Sequence, residues 1–589
     1  MCGILVVISK TSERLDKVRC QAILKKMTHR GPDHFFDSLL HNGRLYMGQT
    51  ILSITGTPDE ALNHYQVSRS GQLNIVINGE IYNFASLSRR YLNGFDLKTG
   101  TDTEVLVNLY DVLTAQEVAP LLNGMYAYSV FNSETGKLHV ARDLIGEKVL
   151  YTFEDEQVII FASETSSIID YLGQHEVNTS LVQDYFFTRH LLTHETTLFR
   201  GIHVISPGKV IEINLNSYSQ ATIYDSSLKS LISESKSETY ANCNEQELLE
   251  ELERVCRNSA SLLSPDIGCA SIFSGGVDSS IASWFMDQQS DQSPWLVTLQ
   301  FGEKDIVSKS VSRFEPYLSS PVHAVDVSEE RFTRMMDRFY GEYKTMMATH
   351  SFVSQMILSE YVSDNGYKVL IGGDGADELF GGYEYYKNFA SIKRIPDENP
   401  SPYSGFVGST LVLNQHDRQK FRDLKKIEWE NALALFSHID DAQDRMLQAV
   451  LYLDSLIEME TVGLRSSDLM SMANSVESRG FFVTKDMLEF AINIPAKYKI
   501  NLASTDPLMI TKPLLKKLFI KIFDADLLFK KQGYSGYPNE AGCALVKGNY
   551  GLTKKLLGIS SQKLDTILTD RAMEWKVLNT ELFLKALQD

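Results

Sequence analysis

The sequence predicts two large domains, a β-rich domain followed by an α/β domain, joined by a polar connection. Short apolar or alternating runs separated by turn signals dominate the chain up to about residue 216. A stretch with eight serines and weak periodicity follows between residues 216 and 245. Beyond it, two short apolar runs each enter a glycine-rich turn, which is typical of strand–turn–helix units. The length of 589 residues suits two to four domains.

The individual elements follow from local patterns. Strands are predicted at residues 73–77, before Asn78-Gly79, and at residues 126–131. Residues 246–263 carry apolar side chains at helical spacing. In the second domain, strands are predicted where residues 270–273 and 367–371 lead into glycine turns, and the chain after about residue 417 is mostly amphipathic and helix-like.

Composition excludes several classes of protein. Acidic residues outnumber basic ones by 75 to 57, giving a net charge of −18, so the overall field repels phosphate backbones and nucleic acid is a poor candidate partner. Six cysteines without Cys-x-x-Cys spacing predict neither a disulfide framework nor a zinc site, and a reducing, cytoplasmic location is expected. No apolar run approaches the roughly 18 residues that would span a bilayer, so no membrane partner is expected.

Position 2 offers a nucleophile. Removal of the initiator Met would leave Cys2 with both a free thiol and a free α-amine. An α-amine titrates near ~7.7–8.0, so it can take the thiol proton and later deliver it to a leaving amine. The alternative is an ordinary buried cysteine at the start of the chain.

Four further segments accompany Cys2: His29-Arg30-Gly31-Pro32-Asp33, Asn78-Gly79-Glu80-Ile81-Tyr82-Asn83, Thr99-Gly100-Thr101-Asp102-Thr103-Glu104 and Ala141-Arg142-Asp143 with Gly146. In this order they resemble the glutaminase domain of class II glutamine amidotransferases over about 200 residues. The resemblance implies that Cys2 attacks the glutamine amide and that Asn78 with the Gly79 N–H stabilises the oxyanion. It also implies that glutamine is bound by Arg30, Asn78, Glu80 and Asp102. Taken singly, Asn78-Gly79 could be a hairpin turn and Asp102 a solvated loop acid.

The first domain departs from this family at two positions. Ile51 stands where the family usually has an arginine that clamps the glutamine α-carboxylate, and an aliphatic side chain cannot form that bidentate pair. Either another cation substitutes, or glutamine binds weakly, or the nitrogen donor differs. Val149 replaces a usual proline.

The second domain carries the segment Ser274-Gly275-Gly276-Val277-Asp278-Ser279-Ser280 between a predicted strand and helix. Glycines let the backbone approach a phosphate, and N–H groups, hydroxyls and the helix N-terminus favour the anion. A flexible Gly/Ser loop is the alternative. The segment lacks the Gly-Lys-Ser/Thr ending of a Walker loop. It resembles the pyrophosphate loop of N-type ATP pyrophosphatases, and with a glutaminase ahead of it the chain resembles glutamine-dependent asparagine synthetases.

Later segments extend this resemblance to nearly the whole chain: Gly372 to Tyr383, Met470-Ser471-Met472-Ala473 with Glu477 and Arg479, Lys512, and Lys530-Lys531-Gln532-Gly533-Tyr534. By position, Asp278 and Asp377 would hold Mg²⁺, and Lys512 would stabilise charge on the phosphates. The ATP-binding residues implied are Ile272, Ser274, Gly275, Gly276, Asp278, Ser279, Ser280, Phe301 and Gly373, with Ile272, Phe301 and Gly373 lining the adenosine pocket.

Three departures surround the expected acceptor site. Asp374 replaces a glutamate thought to assist proton transfer from the attacking amine, and Gly372 replaces a serine. The usual Pro-Phe-Leu-Asp is Phe481-Phe482-Val483-Thr484. Aspartate as the acceptor is therefore one option, and another carboxylate, such as a sugar acid or a natural-product intermediate, is at least as well supported.

The resemblance implies an N-terminal-nucleophile hydrolase αββα sandwich followed by a Rossmann-like ATP pyrophosphatase α/β domain with C-terminal helices. We place the glutaminase at residues 2–215, a linker at 216–240 and the synthetase at 241–589. The expected activity is ATP- and Mg²⁺-dependent amidation of a carboxylate with ammonia from glutamine. Alternatives are a β-lactam-synthetase-like or free-ammonia-dependent ligase and a non-catalytic regulatory homologue. Family members are often dimers, so a homodimer is an expectation.

Overall fold

The computed structural model describes residues 2–54, 66–187, 195–289, 293–301, 311–392, 394–402, 415–529, 550–569 and 571–588. Two antiparallel sheets form the first domain, and one parallel sheet forms the centre of the second. Within these ranges, no helix is both long and apolar enough to cross a membrane.

The first domain is built from two facing sheets with strand orders β2-β3-β1-β8-β7-β9 and β11-β10-β6-β5-β4. The strands are β1 Cys2–Ser9, β2 His34–Leu40, β3 Leu45–Ile51, β4 Leu73–Ile81, β5 Gly124–Asn132, β6 Lys137–Arg142, β7 Tyr151–Glu154, β8 Val158–Ala162, β9 Ile202–Val204, β10 Lys209–Asn214 and β11 Ser219–Asp225. The helices are Lys17–Lys25, Phe84–Tyr91, Asp102–Val112, Ala115–Val118, Thr165–Leu172 and Thr179–Phe187.

Strand β1 is buried on both faces because it lies inside a layered structure. Ile4 and Val6 share a core with Val76 of the opposite sheet, whereas Leu5 and Val7 pack in the core that includes the helix Lys17–Lys25. The second sheet buries its other face against the helices Phe84–Tyr91 and Asp102–Val112. The layer order is therefore helix, sheet, sheet, helix, and the predicted αββα sandwich is confirmed.

The end of the first domain lies later than the sequence predicts. Residues 219–225, predicted as linker, form β11, which pairs antiparallel with β10 at the edge of the second sheet. Because most β11 side chains are exposed, the strand has the polar composition of a connection. The chain then runs along the second domain, where the Ser233 backbone N–H donates to Asn493 Oδ1 at 2.9 Å.

The second domain surrounds a parallel sheet of order β14-β13-β12-β15-β16. The strands are β12 Ala270–Ile272, β13 Trp295–Gln300, β14 Val322–Asp326, β15 Val369–Gly372 and β16 Glu477–Gly480. Its helices are Glu234–Asn242, Glu245–Leu263, Val277–Asp287, Glu329–Tyr343, Ser351–Asp364, Ala376–Phe380, Gln415–Leu435, Ala442–Asp454, the π-helix Ser455–Leu464, Arg465–Met472, Lys485–Asn493, Pro513–Ile522, Gly551–Leu557, Ser561–Ile567 and Arg571–Ala586.

This strand order locates a binding crevice. The chain moves from β12 outward to β14 in one direction and then returns to β15 and β16 on the other side of β12. Ligands of open parallel sheets bind at the carboxyl ends of the strands, where the order reverses in this way. The turns that follow β12 and β15 therefore line the expected site.

Candidate active sites

Cys2 is the first residue of β1, is buried, and forms hydrogen bonds with two polar side chains. Gln49 Nε2 donates to Cys2 Sγ at 3.0 Å, and the Cys2 backbone nitrogen donates to Asn78 Oδ1 at 3.2 Å. The thiol is thus held by a hydrogen bond from one side chain while the nitrogen that would become the α-amine is held by another. The structure brings the candidate nucleophile, its candidate base and Asn78 together.

Asn78 and Gly79 lie inside β4, so the hairpin-turn alternative is wrong. Asn78 Nδ2 is buried and, among the described residues, has no hydrogen-bond partner. Buried donors almost always have a hydrogen-bond acceptor, so the unpartnered Asn78 Nδ2 indicates an acceptor on a bound ligand. Gly79 has φ +136°, and a Cβ there would lie 2.0 Å from the Met125 carbonyl oxygen, so only glycine fits.

Asp102 is a buried acid at the start of the helix Asp102–Val112, not a solvated loop residue. Its Oδ2 accepts from the Ile81 N–H at 3.0 Å and its Oδ1 from the Thr103 N–H at 2.7 Å. Burial raises the pKa of Asp102, while these two backbone donors oppose the rise. The Asp102 carboxyl group is thus anchored to Ile81, two residues after Gly79 in β4.

Ile51 faces Cys2 directly, because the two residues are partners in the β1–β3 register. Cys2, Ile51 and Phe36 form a small apolar cluster. The side chain that replaces the family arginine therefore forms an apolar wall beside the thiol.

The side chains of Arg30 and Glu80 contact the second domain. Arg30 is fully buried; its Nε donates to the Cys2 carbonyl at 3.2 Å and its Nη2 to Asp468 of the second domain at 2.8 Å. Glu80 forms a buried ion pair with Arg479, also of the second domain. Both side chains are therefore held in buried ion pairs across the domain interface.

In the second domain, the segment from Ser274 to Ser280 joins β12 to the helix Val277–Asp287, as predicted. Gly275 has φ +74°, which turns the chain sharply after the strand. Ser274 Oγ and Ser279 Oγ lie 2.9 Å apart, and the Ser274 N–H donates to Ser279 Oγ at 3.1 Å. The flexible-loop alternative does not fit, because the loop's own hydroxyls fix its shape.

Lys512 lies between the two predicted metal ligands. Its Nζ is 2.6 Å from Asp278 Oδ1 and 2.5 Å from Asp377 Oδ1. Burial opposes the charge of Lys512, but the two carboxylates outweigh it and hold its pKa above the ordinary value. Lys512 also has φ +51°, an uncommon conformation for a side-chain-bearing residue and one that is found at functional sites.

Two glycines make this cluster possible. A Cβ on Gly382 would lie 1.9 Å from Asp377 Oδ1 and 2.0 Å from Lys512 Cε. A Cβ on Gly373 would lie 3.1 Å from Asp278 Cβ. Ile272, Phe301 and Gly373 lie at or just beyond the carboxyl ends of the neighbouring strands β12, β13 and β15. Residues 530–534, which contributed to the resemblance, lie outside the described residues.

The two departures from the family at Gly372 and Asp374 are sterically linked. Asp374 Oδ1 accepts from Ser467 Oγ at 3.3 Å, and a Cβ on Gly372 would lie 2.6 Å from Asp374 Oδ2. A serine at position 372 would therefore collide with this aspartate. Burial raises the pKa of Asp374 to about 6. Thr484, in contrast, turns its hydroxyl to Ser259 at 2.7 Å, so that departure serves packing between helices.

Comparison with known proteins identifies the family of each domain. Residues 1–224 match the model of the glutamine amidotransferase domain, and residues 252–557, more than half of the chain, match the model of asparagine synthase. The chain belongs to the asparagine synthase family. It is accordingly an enzyme of the ATP-dependent carbon–nitrogen ligase class joined to a glutamine amidotransferase domain.

Individual relatives are distant. The chain is 24% identical to asparagine synthetase [glutamine-hydrolyzing] 1 of Bacillus subtilis, over 91% of this chain and 87% of that protein. It is 26% identical to asparagine synthetase [glutamine-hydrolyzing] of Rattus norvegicus, over 68% and 70% respectively. A solved structure titled the allosteric regulatory enzyme of purine biosynthesis matches with a TM-score of 0.30 and 13% identity, covering 55% of this chain and 80% of that one.

In this member of the asparagine synthase family, buried ion pairs join the two domains. Asp468 accepts from Arg30 and, at 3.2 Å, from Lys148; Arg142 pairs with Glu460 at 3.2 Å. Sequence reasoning missed the acidic partners, because each lies more than 300 residues from its cation and no spacing relates them. The two candidate sites therefore share one polar interface.

Proposed function

We propose that this enzyme hydrolyses glutamine at Cys2 and uses the ammonia to amidate an adenylated carboxylate, giving amide, glutamate, AMP and pyrophosphate. The observation that carries the proposal is the Asp278–Lys512–Asp377 cluster beside the Ser274–Ser280 loop at the sheet's switch point. A nucleotide with its phosphates needs this combination of donors, cation and acidic metal ligands in one crevice.

At the first site, Cys2 forms the covalent thioester while its α-amine carries the proton to the leaving ammonia. The unpartnered Asn78 Nδ2 donates to the oxyanion, and loss of one such donor typically costs ~10²–10³ in rate. Asp102 holds the substrate α-ammonium group. Ile51 gives the α-carboxylate no cationic partner, so recognition depends on the amide and the ammonium ends of glutamine.

At the second site, the paired carboxylates of Asp278 and Asp377 fit Mg²⁺, which prefers hard oxygen ligands and is commonly held by one or two carboxylates plus substrate phosphates. When bound, Mg²⁺ supplies charge neutralisation at the phosphates. Lys512 exchanges its contacts with the two aspartates for the phosphate oxygens. Loop N–H groups and the Ser274 and Ser279 hydroxyls orient the pyrophosphate.

The acceptor is a carboxylate, with L-aspartate as the reference substrate. A second class, sugar acids or natural-product intermediates, is favoured by one observation: Gly372 and Asp374 both carry smaller side chains than the serine and glutamate that the resemblance expects. The smaller pair gives an acceptor pocket of different shape from that expected for aspartate.

Two assays test the proposal. Glutamate release from glutamine is expected for the wild type and is abolished in Cys2→Ala; the matched control Cys20→Ala, a buried cysteine of the neighbouring helix, keeps it. Absence of glutamate release from the wild type would contradict glutamine hydrolysis. Pyrophosphate and AMP release are then measured with L-aspartate, D-glucuronate and a panel of other carboxylates. If no acceptor gives pyrophosphate or AMP release, the result would favour the non-catalytic alternative.

A further inference from the structure

Glu147 is a buried carboxylate of the glutaminase domain that reaches into the synthetase domain. It follows Gly146 in the turn between β6 and β7 and is 7% exposed. Its Oε1 accepts from the Gly480 N–H at 3.3 Å. Gly480 is the last residue of β16 and pairs with Gly372 of β15.

Asp374 approaches the same glycine from another side. A Cβ on Gly480 would lie 3.5 Å from Asp374 Cβ. Gly480 is therefore adjacent to Glu147 of the first domain and to Asp374 of the second, at the carboxyl end of the parallel sheet. Asp374 occupies the position that the resemblance gives to a proton-accepting glutamate, but its side chain is one methylene shorter.

Glu147 also differs from three other buried acids at the interface. Glu80 pairs with Arg479, Glu460 with Arg142, and Asp468 with two cations. Among the described residues, no lysine or arginine lies within ion-pair distance of Glu147. A buried carboxyl group without a direct ion-pair partner is costly as an anion, so its presence suggests a functional reason.

We propose that Glu147 is a proton acceptor of the synthetase reaction, which shares with Asp374 the proton released when ammonia attacks the acyl-adenylate. The inference rests on the proposed function. In this step the N–C bond forms, the C–O bond to AMP breaks, and one N–H proton passes to a carboxylate of the pair while AMP leaves as the anion. The glutaminase domain then supplies both the nucleophile and part of the base that the synthetase domain uses.

The charges around Glu147 are consistent with this role. Burial raises its pKa to about 8; Lys148 lowers it, Asp143 and Asp374 raise it, and the Gly480 N–H lowers it. Its charge also raises the pKa of the buried Tyr82. A carboxylate with so high a pKa is a stronger base than an ordinary glutamate and takes a proton from a nitrogen nucleophile more readily.

The test compares Glu147→Gln with the wild type in the full-length enzyme. The glutamine side chain keeps a hydrogen-bond acceptor for the Gly480 N–H but cannot take a proton. We expect unchanged glutamate release and at least an about tenfold loss of AMP formation from ammonium chloride, with L-aspartate and D-glucuronate as acceptor probes. At constant free ammonia, the wild-type rate rises through pH 8 as Glu147 ionises, and Glu147→Gln loses this rise. Glu147→Asp restores part of the rate.

Glu460→Gln is the matched control, because it changes another buried interface glutamate that is paired with Arg142. It keeps the wild-type pH profile. A Glu147→Gln enzyme with the wild-type rate and pH profile would overturn the inference alone. A wild type that forms no AMP with any acceptor would overturn the proposed function and this inference with it. If Glu147→Gln melts early, the pH profile of Glu147→Asp decides: an unshifted profile overturns the inference.

Discussion

The substitution Gly382→Ala tests the Asp278–Lys512–Asp377 cluster without removing any of its charges. Gly382 is not in the left-handed region, so alanine fits its backbone conformation. The added Cβ would nevertheless lie 2.0 Å from Lys512 Cε and 1.9 Å from Asp377 Oδ1. The effect of the substitution therefore comes from contact with the cluster and not from backbone strain.

The size of the effect follows from these distances. Carbon atoms in contact are optimally about 3.5–4.0 Å apart, so Lys512 Cε must retreat by at least about 1.5 Å unless the backbone moves instead. A misplacement of about 1 Å at a reacting centre can cost roughly 100-fold in rate. We expect Gly382→Ala to lose at least about 100-fold in acceptor-dependent ATP–pyrophosphate exchange.

The assay includes two readouts that should not change. Glutamate release depends on Cys2 and stays at the wild-type level, and the far-ultraviolet circular dichroism spectrum shows that the fold is kept. Gly341→Ala is the matched control, since Gly341 lies in the helix Glu329–Tyr343 with nothing within 4 Å of the added Cβ; helix propensity there favours alanine. Exchange within about threefold of wild type in Gly382→Ala would refute the reasoning.

Three further predictions concern buried charges. Lys512→Met should lose at least about 100-fold in ATP–pyrophosphate exchange but keep glutamate release, and retained exchange would contradict its role. Asp468→Asn leaves Arg30 and Lys148 without their anion and should cost about 3–5 kcal/mol, seen as a lower Tm in calorimetry; an unchanged Tm would contradict this. Burial lowers the pKa of Lys499 to about 7 in the folded protein. Between about pH 7 and 10.5 the Lys499 amine is therefore protonated only in the unfolded chain, so the free energy of unfolding rises with pH in this range. The increase in Tm between pH 7 and pH 9 should be smaller in Lys499→Met than in the wild type. An equal increase in both proteins would contradict this prediction.

Much of each site can be predicted from the sequence, because its residues are grouped in short segments. The Ser274–Ser280 segment lies between a strand and a helix as predicted, and the helix predicted at residues 246–263 is Glu245–Leu263. Asn78 and Asp102 can be associated with Cys2 only through the resemblance, since no local pattern brings three separate segments together. The structure shows why they meet: β1 and β4 lie in facing sheets, and Asp102 accepts from the Ile81 N–H at the end of β4.

The remaining features depend on contacts between distant parts of the chain. The sequence assigns β11 to a linker because an exposed edge strand has the composition of a polar connection. The ion pairs of Arg30 and Glu80 could not be predicted, because their buried partners, Asp468 and Arg479, are 438 and 399 residues away. The compensation between Gly372 and Asp374 is a matter of side-chain volume at one point in space, which neither substitution reveals alone.

The same interface gives a physical basis for coordination between the two reactions. Arg30 binds the Cys2 carbonyl with its Nε and Asp468 with its Nη2, and Ser467, the neighbour of Asp468, donates to Asp374. A shift of the helix Arg465–Met472 when the acceptor binds would therefore move the anion that holds Arg30. Because packed interfaces change between discrete arrangements and do not deform continuously, such a shift would reposition the Cys2 backbone as well. A chain of contacts is not by itself coupling, because coupling is a free-energy difference between the two sites. If the sites are coupled through this interface, acceptor and ATP change the rate of glutamate release in the wild type. The change should disappear in Asp468→Asn, in which residue 468 no longer carries a charge.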